Sequence, residues 1–157
     1  MHRNKVYVGI MRLHEDIDIK KLKSEMEKFL GKIKQLPPKK SRVKRALRER
    51  EVAVFEILEK DGKDVLFLAD VQAGTYIRKL CSDLGENIGG AHMLELRRIK
   101  AGLFSEEDKN FVNLYDFEKA VNEYKKGNEE RLREILTPGE IITEVLPVIQ
   151  IRKDVVK

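Results

Sequence analysis

The sequence predicts an α+β domain in which a mixed or antiparallel sheet is flanked by helices. Strand-like alternation of apolar residues, helix-like apolar spacing and glycines between the two patterns support this fold class. The chain has 157 residues, of which 41% are hydrophobic and 38% are charged. This length and composition suit a soluble domain with one core, and they argue against a disordered tail or a membrane span.

Strands are predicted where apolar residues alternate or cluster. Residues 5–13 are apolar on both faces, which predicts an interior strand with a neighbour on each side. Residues 52–58 and 65–71 predict a hairpin, because Asp61-Gly62 between them tolerates the positive φ of a tight turn. A short strand is predicted over 92–99. The apolar, β-branched tail over 141–151 predicts a last strand.

Helices are predicted over four segments: 19–30, 77–88, 114–126 and 128–136. In the first two, apolar residues recur at three- and four-residue spacing. Asp18 and Thr75 stand where N-caps are expected, and Gly31 and Gly89-Gly90 where helices end. The last two segments carry most of the acid, and Thr137-Pro138-Gly139 ends them.

Positive charge is concentrated in one segment. Residues 31–50 hold nine basic residues and one acidic residue, a net charge of +8 within a chain whose total is +5. Pro37-Pro38 forbids a helix there, so an exposed loop is predicted. Such dense charge is stabilised by a polyanion, which makes nucleic acid the first partner to consider. A solvated basic loop without a partner remains the alternative.

Cysteine and histidine usage predicts neither a disulfide nor a metal site. The single cysteine, Cys81, lies on the apolar stripe of its predicted helix, which favours a core role and a reducing cytoplasm. His2, His14 and His92 are far apart in sequence, and none is near Cys81. No glycine-rich phosphate loop is present, so we expect no cofactor.

The segment Gly74-Thr75-Tyr76-Ile77-Arg78 lies at a predicted junction between a strand and a helix. A tyrosine there can stack on an unpaired base, and an arginine can bind a carboxylate or phosphate through two hydrogen bonds. An isolated Tyr-x-Arg is more simply interpreted as a helix start. The basic proline segment upstream makes a role in nucleic-acid chemistry more plausible.

Together, four collinear stretches resemble the TruB/dyskerin family of RNA pseudouridine synthases, most closely its archaeal H/ACA-guided branch. They are residues 5–14, 31–45 (with Leu36-Pro37-Pro38), 73–86 (with Gly74-Thr75-Tyr76-Ile77-Arg78) and 90–98. The resemblance implies a fold like the second half of that family's catalytic domain. It also implies a division into a partial catalytic domain over 1–136 and, over 137–157, a linker and first strand toward a PUA domain.

The resemblance also implies roles for individual residues. Tyr7 matches the aromatic that stacks on the target base, Tyr76 the second aromatic, Arg78 the partner of the catalytic aspartate and Leu96 an apolar wall of the uridine pocket. The basic segment 31–50 resembles the thumb that closes over RNA. Its candidate phosphate contacts are Lys39, Lys40, Arg42, Lys44 and Arg45.

One departure from the family pattern concerns the nucleophile. The family's Gly-Thr-Leu-Asp-Pro-like motif is absent, and neither Asp70 nor Asp83 matches its aspartate. We therefore expect the aspartate on another polypeptide, an amino-terminal synthase fragment that pairs with strand 5–13 at an open sheet edge.

The resulting functional hypothesis is part of an RNA pseudouridine synthase acting on tRNA or rRNA. We expect it in an H/ACA-type particle with guide RNA and small accessory proteins, and without cofactor or metal. The alternative is a non-catalytic RNA-binding or scaffold protein that keeps the fold. Retention of Arg78 argues against that alternative, because a purely binding protein does not need a partner for the aspartate.

Overall fold

The computed structural model describes residues 4–37 and 45–149, and it confirms the α+β class. The elements, in chain order, are β1 (Asn4–Leu13), α1 (Ile19–Glu27), β2 (Gly31–Gln35), β3 (Arg48–Asp61), β4 (Asp64–Gln72), α2 (Ile77–Asn87), β5 (Ala91–Ala101), β6 (Phe104–Ser105), α3 (Leu114–Lys125), α4 (Glu130–Ile135) and a final 3-10 helix (Gly139–Glu144). All the strands pair antiparallel in one sheet of order β2-β3-β4-β1-β5-β6.

The chain forms two compact units, which we call the sheet unit (Met1–Glu106) and the helical unit (Glu107–Lys157). This division falls between β6 and α3. It does not test the predicted boundary between residues 136 and 137, so the interpretation of 137–157 as a connection to a PUA domain stays a prediction. Within the described ranges, no helix is long and apolar enough to cross a membrane.

Strand β1 is interior, as its two apolar faces predict. It pairs with β4 on one side and with β5 on the other. The expectation that β1 forms an open edge for another polypeptide is therefore wrong. The β3–β4 hairpin supplies one neighbour and the strand after α2 supplies the other, so both come from the chain itself.

The core lies on one face of the sheet. Alternate residues of β4 are buried, and Met11 and Leu13 of β1 lie on the same face. Leu22 of α1 and Leu80 of α2 are buried in the same cluster. Cys81 is also buried there, as its place on the apolar stripe predicts. Burial disfavours the thiolate and raises the pKa of Cys81 to about 12.

The turns follow local chemistry with one exception. Asp18 caps α1 as predicted, accepting a hydrogen bond from the Lys20 amide at 2.8 Å. Gly62 has a φ of +51° in the hairpin turn. Thr75, however, is not the N-cap of α2. Its hydroxyl donates to the Gln72 carbonyl at 2.7 Å, and Tyr76 occupies the cap position.

Two other predictions are corrected. Residues 31–50 are not a continuous loop, because β2 and the start of β3 pair within them. Ile33 and Gln35 supply an alternation too short to stand out among lysines. The tail over 141–151 forms no strand in its described part, up to residue 149. A 3-10 helix forms at Gly139–Glu144 instead, and the amides of Val145 and Leu146 bond locally to the Ile142 carbonyl.

Candidate functional site

Tyr7 and Leu96 lie on the core-side face of neighbouring strands. Tyr7 pairs across from Arg98 of β5, and Gly9, two residues along β1, pairs across from Leu96. A Cβ atom at Gly9 would lie 3.0 Å from Leu96 Cδ1 and 2.6 Å from Phe67 Cζ. Glycine thus lets both side chains cover β1. Tyr7 is partly buried against the core, whereas Leu96 is 38% exposed, so an aromatic and an accessible aliphatic group share this face.

Tyr76 and Arg78 stand at the start of α2, directly after β4, the strand that pairs with β1. The buried residues of α2 pack into the core on the face that carries Tyr7. No hydrogen bond or ion pair joins the Arg78 side chain to another residue within 4–37 and 45–149. The guanidinium of Arg78 is therefore available to an anion from outside this part of the chain.

The turn before α2 is closely covered by Arg50 of β3. Gly74 has a φ of +88°, and a Cβ there would lie 3.2 Å from the Nε and Nη2 atoms of Arg50. Arg50 Nη1 donates to the Glu49 carbonyl at 2.8 Å, while its buried Nε has no hydrogen-bond partner among the described residues. The positive φ therefore favours glycine at position 74, and a Cβ there would also require the Arg50 guanidinium to shift by a few tenths of an ångström.

Gln35, at the end of β2, binds the backbone of Tyr76. Its Oε1 accepts from the Tyr76 amide at 3.0 Å, and its Nε2 donates to the Tyr76 carbonyl at 3.3 Å. Gln35 is 2% exposed, although glutamine is usually a surface residue. The sequence reasoning missed Gln35. Its place directly before Leu36-Pro37, at the end of a short alternation, is the signal that could have found it.

The basic residues of the β2–β3 ribbon are divided between its two faces. The cross-strand register puts Lys32 and Lys34 opposite Glu51 and Glu49, and Lys32 Nζ lies 3.1 Å from a Glu49 carboxylate oxygen. Gln35 and Ile33 lie opposite Arg48 and Arg50 on the other face. The ribbon's lysines thus face acidic residues, whereas its arginines lie on the face that carries Gln35.

Only one of the five predicted thumb contacts lies among the residues that the structure describes. Arg45 is exposed just before β3. Lys39, Lys40, Arg42 and Lys44 lie outside the described residues. Their role in RNA binding stays a prediction.

Two histidines that are far apart in sequence meet in the fold. His14 Nε2 and His92 Nδ1 are 3.1 Å apart, and their ring centroids are 5.3 Å apart. Among the described residues, no group of three or more His, Cys, Asp or Glu side chains is placed to hold a metal ion. The pair is an exposed contact between the end of β1 and β5.

Comparisons with known proteins show what the chain is similar to. The family model for the tRNA pseudouridylate synthase B C-terminal domain matches residues 78–144. A probable tRNA pseudouridine synthase B of Methanopyrus kandleri is 50% identical over 150 residues, which are 94% of this chain and 44% of the relative. Its counterpart in Archaeoglobus fulgidus is 44% identical over 158 residues, covering 98% of this chain and 47% of the relative.

Solved structures give the same result. A crystal structure of a Cbf5-Nop10-Gar1 complex matches with a TM-score of 0.80 and 44% identity, over 87% of this chain and 42% of that chain. An H/ACA RNP bound to a substrate RNA containing 2'-deoxyuridine matches with a TM-score of 0.74 and 40% identity, over 87% and 40%.

Fold and sequence thus define the class: over the region that it shares with these relatives, the chain is similar to the TruB/dyskerin family of pseudouridine synthases. Within that family it is similar to archaeal proteins, those named tRNA pseudouridine synthase B and the Cbf5 of H/ACA complexes. The chain spans less than half the length of the curated relatives that it matches.

Proposed function

We propose that this chain forms part of an RNA pseudouridine synthase and supplies the uridine-stacking and RNA-binding half of its site. The substrate is a uridine of tRNA or rRNA, and the nucleophilic aspartate comes from another polypeptide. One observation carries the proposal: Tyr7 and Leu96 share a face of the sheet beside α2, whose first residues include Arg78 with no partner among the described side chains.

The chemistry explains why these residue types are needed. Isomerisation requires the uracil to leave its stack, an aromatic ring to hold it and a carboxylate of fixed position. In the proposal Tyr7 stacks on the base, Tyr76 lines the pocket as a second aromatic, and Leu96 forms an apolar wall. Arg78 binds the aspartate through two hydrogen bonds and keeps it ionised. The reaction is redox-neutral and needs no cofactor.

The proposed partners are RNA and small accessory proteins. One matching structure is a complex of Cbf5 with Nop10 and Gar1, a second is a complex of Nop10 with Cbf5, and a third is an H/ACA RNP bound to a substrate RNA. We propose that this chain joins an H/ACA-type particle in the same way. An amino-terminal synthase fragment with a Gly-Thr-Leu-Asp-Pro-like motif completes the site.

Arg78→Ala, assayed in the assembled enzyme, tests the catalytic half of the proposal. The chain is mixed with the aspartate-bearing fragment, and pseudouridine is measured by chromatography of digested RNA. Loss of the aspartate's partner misplaces the nucleophile, so turnover should fall by about 100-fold or more while RNA affinity is nearly unchanged.

The matched control is Arg97→Ala, which removes an exposed arginine on the opposite face of the sheet, paired with Glu106 at 2.8 Å. Its turnover should stay close to that of the unmutated chain. If Arg78→Ala weakens RNA binding and spares turnover, or if no aspartate-bearing fragment restores turnover, the scaffold alternative replaces the enzyme.

The basic segment is tested by the salt dependence of RNA binding. Replacing Lys39 and Arg42 with alanine should lower the log-log salt slope by about one unit per lost phosphate contact. The control is Lys32→Ala, because that lysine already pairs with Glu49. An unchanged slope in the double variant would mean that the segment is a solvated loop.

A further inference from the structure

The contact between Gln35 and Tyr76 joins two parts of the fold that local sequence does not connect. Tyr76 is the N-cap of α2, yet its own side chain makes no capping hydrogen bond. The Tyr76 carbonyl accepts the first hydrogen bond of α2, from the Leu80 amide at 3.0 Å, and it also accepts from Gln35 Nε2. Gln35 therefore binds the very peptide groups at which the helix begins.

The orientation of the Gln35 amide is fixed by what it contacts. Its oxygen faces an N–H donor and its nitrogen faces a carbonyl acceptor, so a flipped amide would place donor against donor and acceptor against acceptor. The side chain is buried, so water cannot replace either bond without an opening of the structure. One residue of β2 thus fixes both hydrogen-bonding groups of one residue of the site.

We propose that Gln35 is a positioning residue for Tyr76. By fixing the backbone of Tyr76, it sets where the ring of Tyr76 stands and where Arg78 leaves the first turn of α2. β2 lies within the basic segment 31–50, so the same contact links that segment to the turn before α2. The catalytic consequence rests on the function proposed above, whereas the contact itself can be tested without any activity.

The chain offers a simple spectroscopic readout, because it has only four tyrosines: Tyr7, Tyr76, Tyr115 and Tyr124. With 15N-tyrosine, the full chain gives four backbone amide resonances, and Tyr76→Phe identifies the one from Tyr76. In Gln35→Met, which keeps the length of the side chain and removes both bonds, the Tyr76 amide should shift upfield. Its protection from hydrogen exchange should fall by about 2- to 10-fold, and the other three amides should stay in place.

The matched control is Gln72→Met. The Gln72 side chain also bonds to a backbone group, but the group is the Glu51 amide, from which Gln72 Oε1 accepts at 3.3 Å. This variant should leave the Tyr76 resonance and its protection as they are in the unmutated chain.

Gln35→Glu separates hydrogen bonding from packing. A protonated carboxyl can accept from the Tyr76 amide and donate to the Tyr76 carbonyl, whereas an ionised one faces that carbonyl with a negative charge. Burial raises the pKa of the introduced carboxyl, so its native-like contact is present at low pH and is lost as pH rises through that raised value. The Tyr76 resonance of this variant should match the unmutated chain near pH 5 and diverge near pH 8.

The proposal is overturned if the Tyr76 amide is unchanged in Gln35→Met. It is also overturned if all four tyrosine amides lose protection equally, or if Gln35→Glu shows no dependence on pH beyond that of the unmutated chain. These outcomes do not depend on the proposed function. If no aspartate-bearing fragment ever restores isomerisation, the proposed function is refuted. The Tyr76 resonances would still show whether Gln35 positions Tyr76. In an active assembly, Gln35→Met should lower kcat by about tenfold with little change in KM for RNA.

Discussion

The sheet unit and the helical unit contain similar kinds of apolar residues but bury them very differently. In the sheet unit Phe67, Met11 and Leu80 are fully buried on one face of the sheet. In the helical unit Leu114 and Tyr115 are largely exposed. Burial of apolar area is the dominant favourable term in folding, so the free energy of unfolding should depend mainly on the sheet unit.

The largest expected effect comes from the centre of the sheet. Phe67 is 0% exposed and meets Phe55 edge to face, with ring centroids 5.6 Å apart. Phe67→Ala should lower the free energy of unfolding by about 3–5 kcal/mol, because it leaves a cavity that the sheet cannot close. Urea unfolding followed by far-UV circular dichroism measures the change.

The counterpart in the helical unit is Leu114→Ala. Leu114 is 83% exposed, so this variant should stay within about 0.5 kcal/mol of the unmutated chain. If Phe67→Ala and Leu114→Ala lowered the free energy of unfolding equally, stability would not depend mainly on the sheet unit.

An intermediate effect is expected where β1 is tightly covered. A Cβ at Gly9 would come within 2.9 Å of the Glu95 carbonyl oxygen, which is backbone and cannot move aside, as well as 2.6 Å from Phe67 Cζ. Gly9→Ala should cost about 1–3 kcal/mol through overpacking. Chemical unfolding under the same conditions gives the value.

The control is Gly139→Ala in the helical unit, where a Cβ would meet nothing within 4 Å. This variant should leave the free energy of unfolding almost unchanged. If Gly9→Ala also left it unchanged, the sheet would relax around an added methyl group more easily than its burial suggests.

Local rules predicted much of the fold because the responsible contacts are themselves local. Asp18 caps the helix that follows it within three residues, and Gly62 turns a two-strand hairpin. The apolar stripe of α2 needs only its own spacing to be recognised. Thr75 is an exception to these local rules. Its hydroxyl donates to the carbonyl of Gln72, which lies earlier in the chain, and does not cap the amides of the helix that follows.

The rest depends on pairings that periodicity cannot reveal. An apolar strand such as β1 requires neighbours, but nothing in residues 5–13 says that β4 and β5 provide them. β2 was missed because its pairing with β3 spans the basic segment. The candidate site shows the same division. The motif resemblance identified Tyr76 and Arg78 as site residues. Gln35 could be recognised only from the folded structure, because it contacts Tyr76 from 41 positions away in the sequence.

The smallest effect on stability is expected from removing an exposed ion pair. It tests whether charged pairs add to the difference in stability between the sheet unit and the helical unit. Arg12 of β1 and Asp64 of β4 face each other at the rim of the sheet unit, joined by two hydrogen bonds of 2.7 and 2.6 Å, with about half of each side chain exposed. The hydrogen bond from Arg12, more than its charge alone, lowers the pKa of Asp64 below the usual value of 3.8. Exposed pairs contribute little and are screened by salt.

A depressed carboxyl pKa fixes the direction of the pH effect. The stability that the Arg12–Asp64 pair contributes is present above the usual carboxyl pKa and is lost as pH falls through the lowered one. Asp64→Asn should therefore be slightly less stable than the unmutated chain near neutral pH, and the gap should close as pH falls below about 4. Urea midpoints across pH, repeated in 1 M salt, measure it. A gap that widened toward low pH, or one as large as that of Phe67→Ala, would show that rim charges and not apolar burial distinguish the sheet unit.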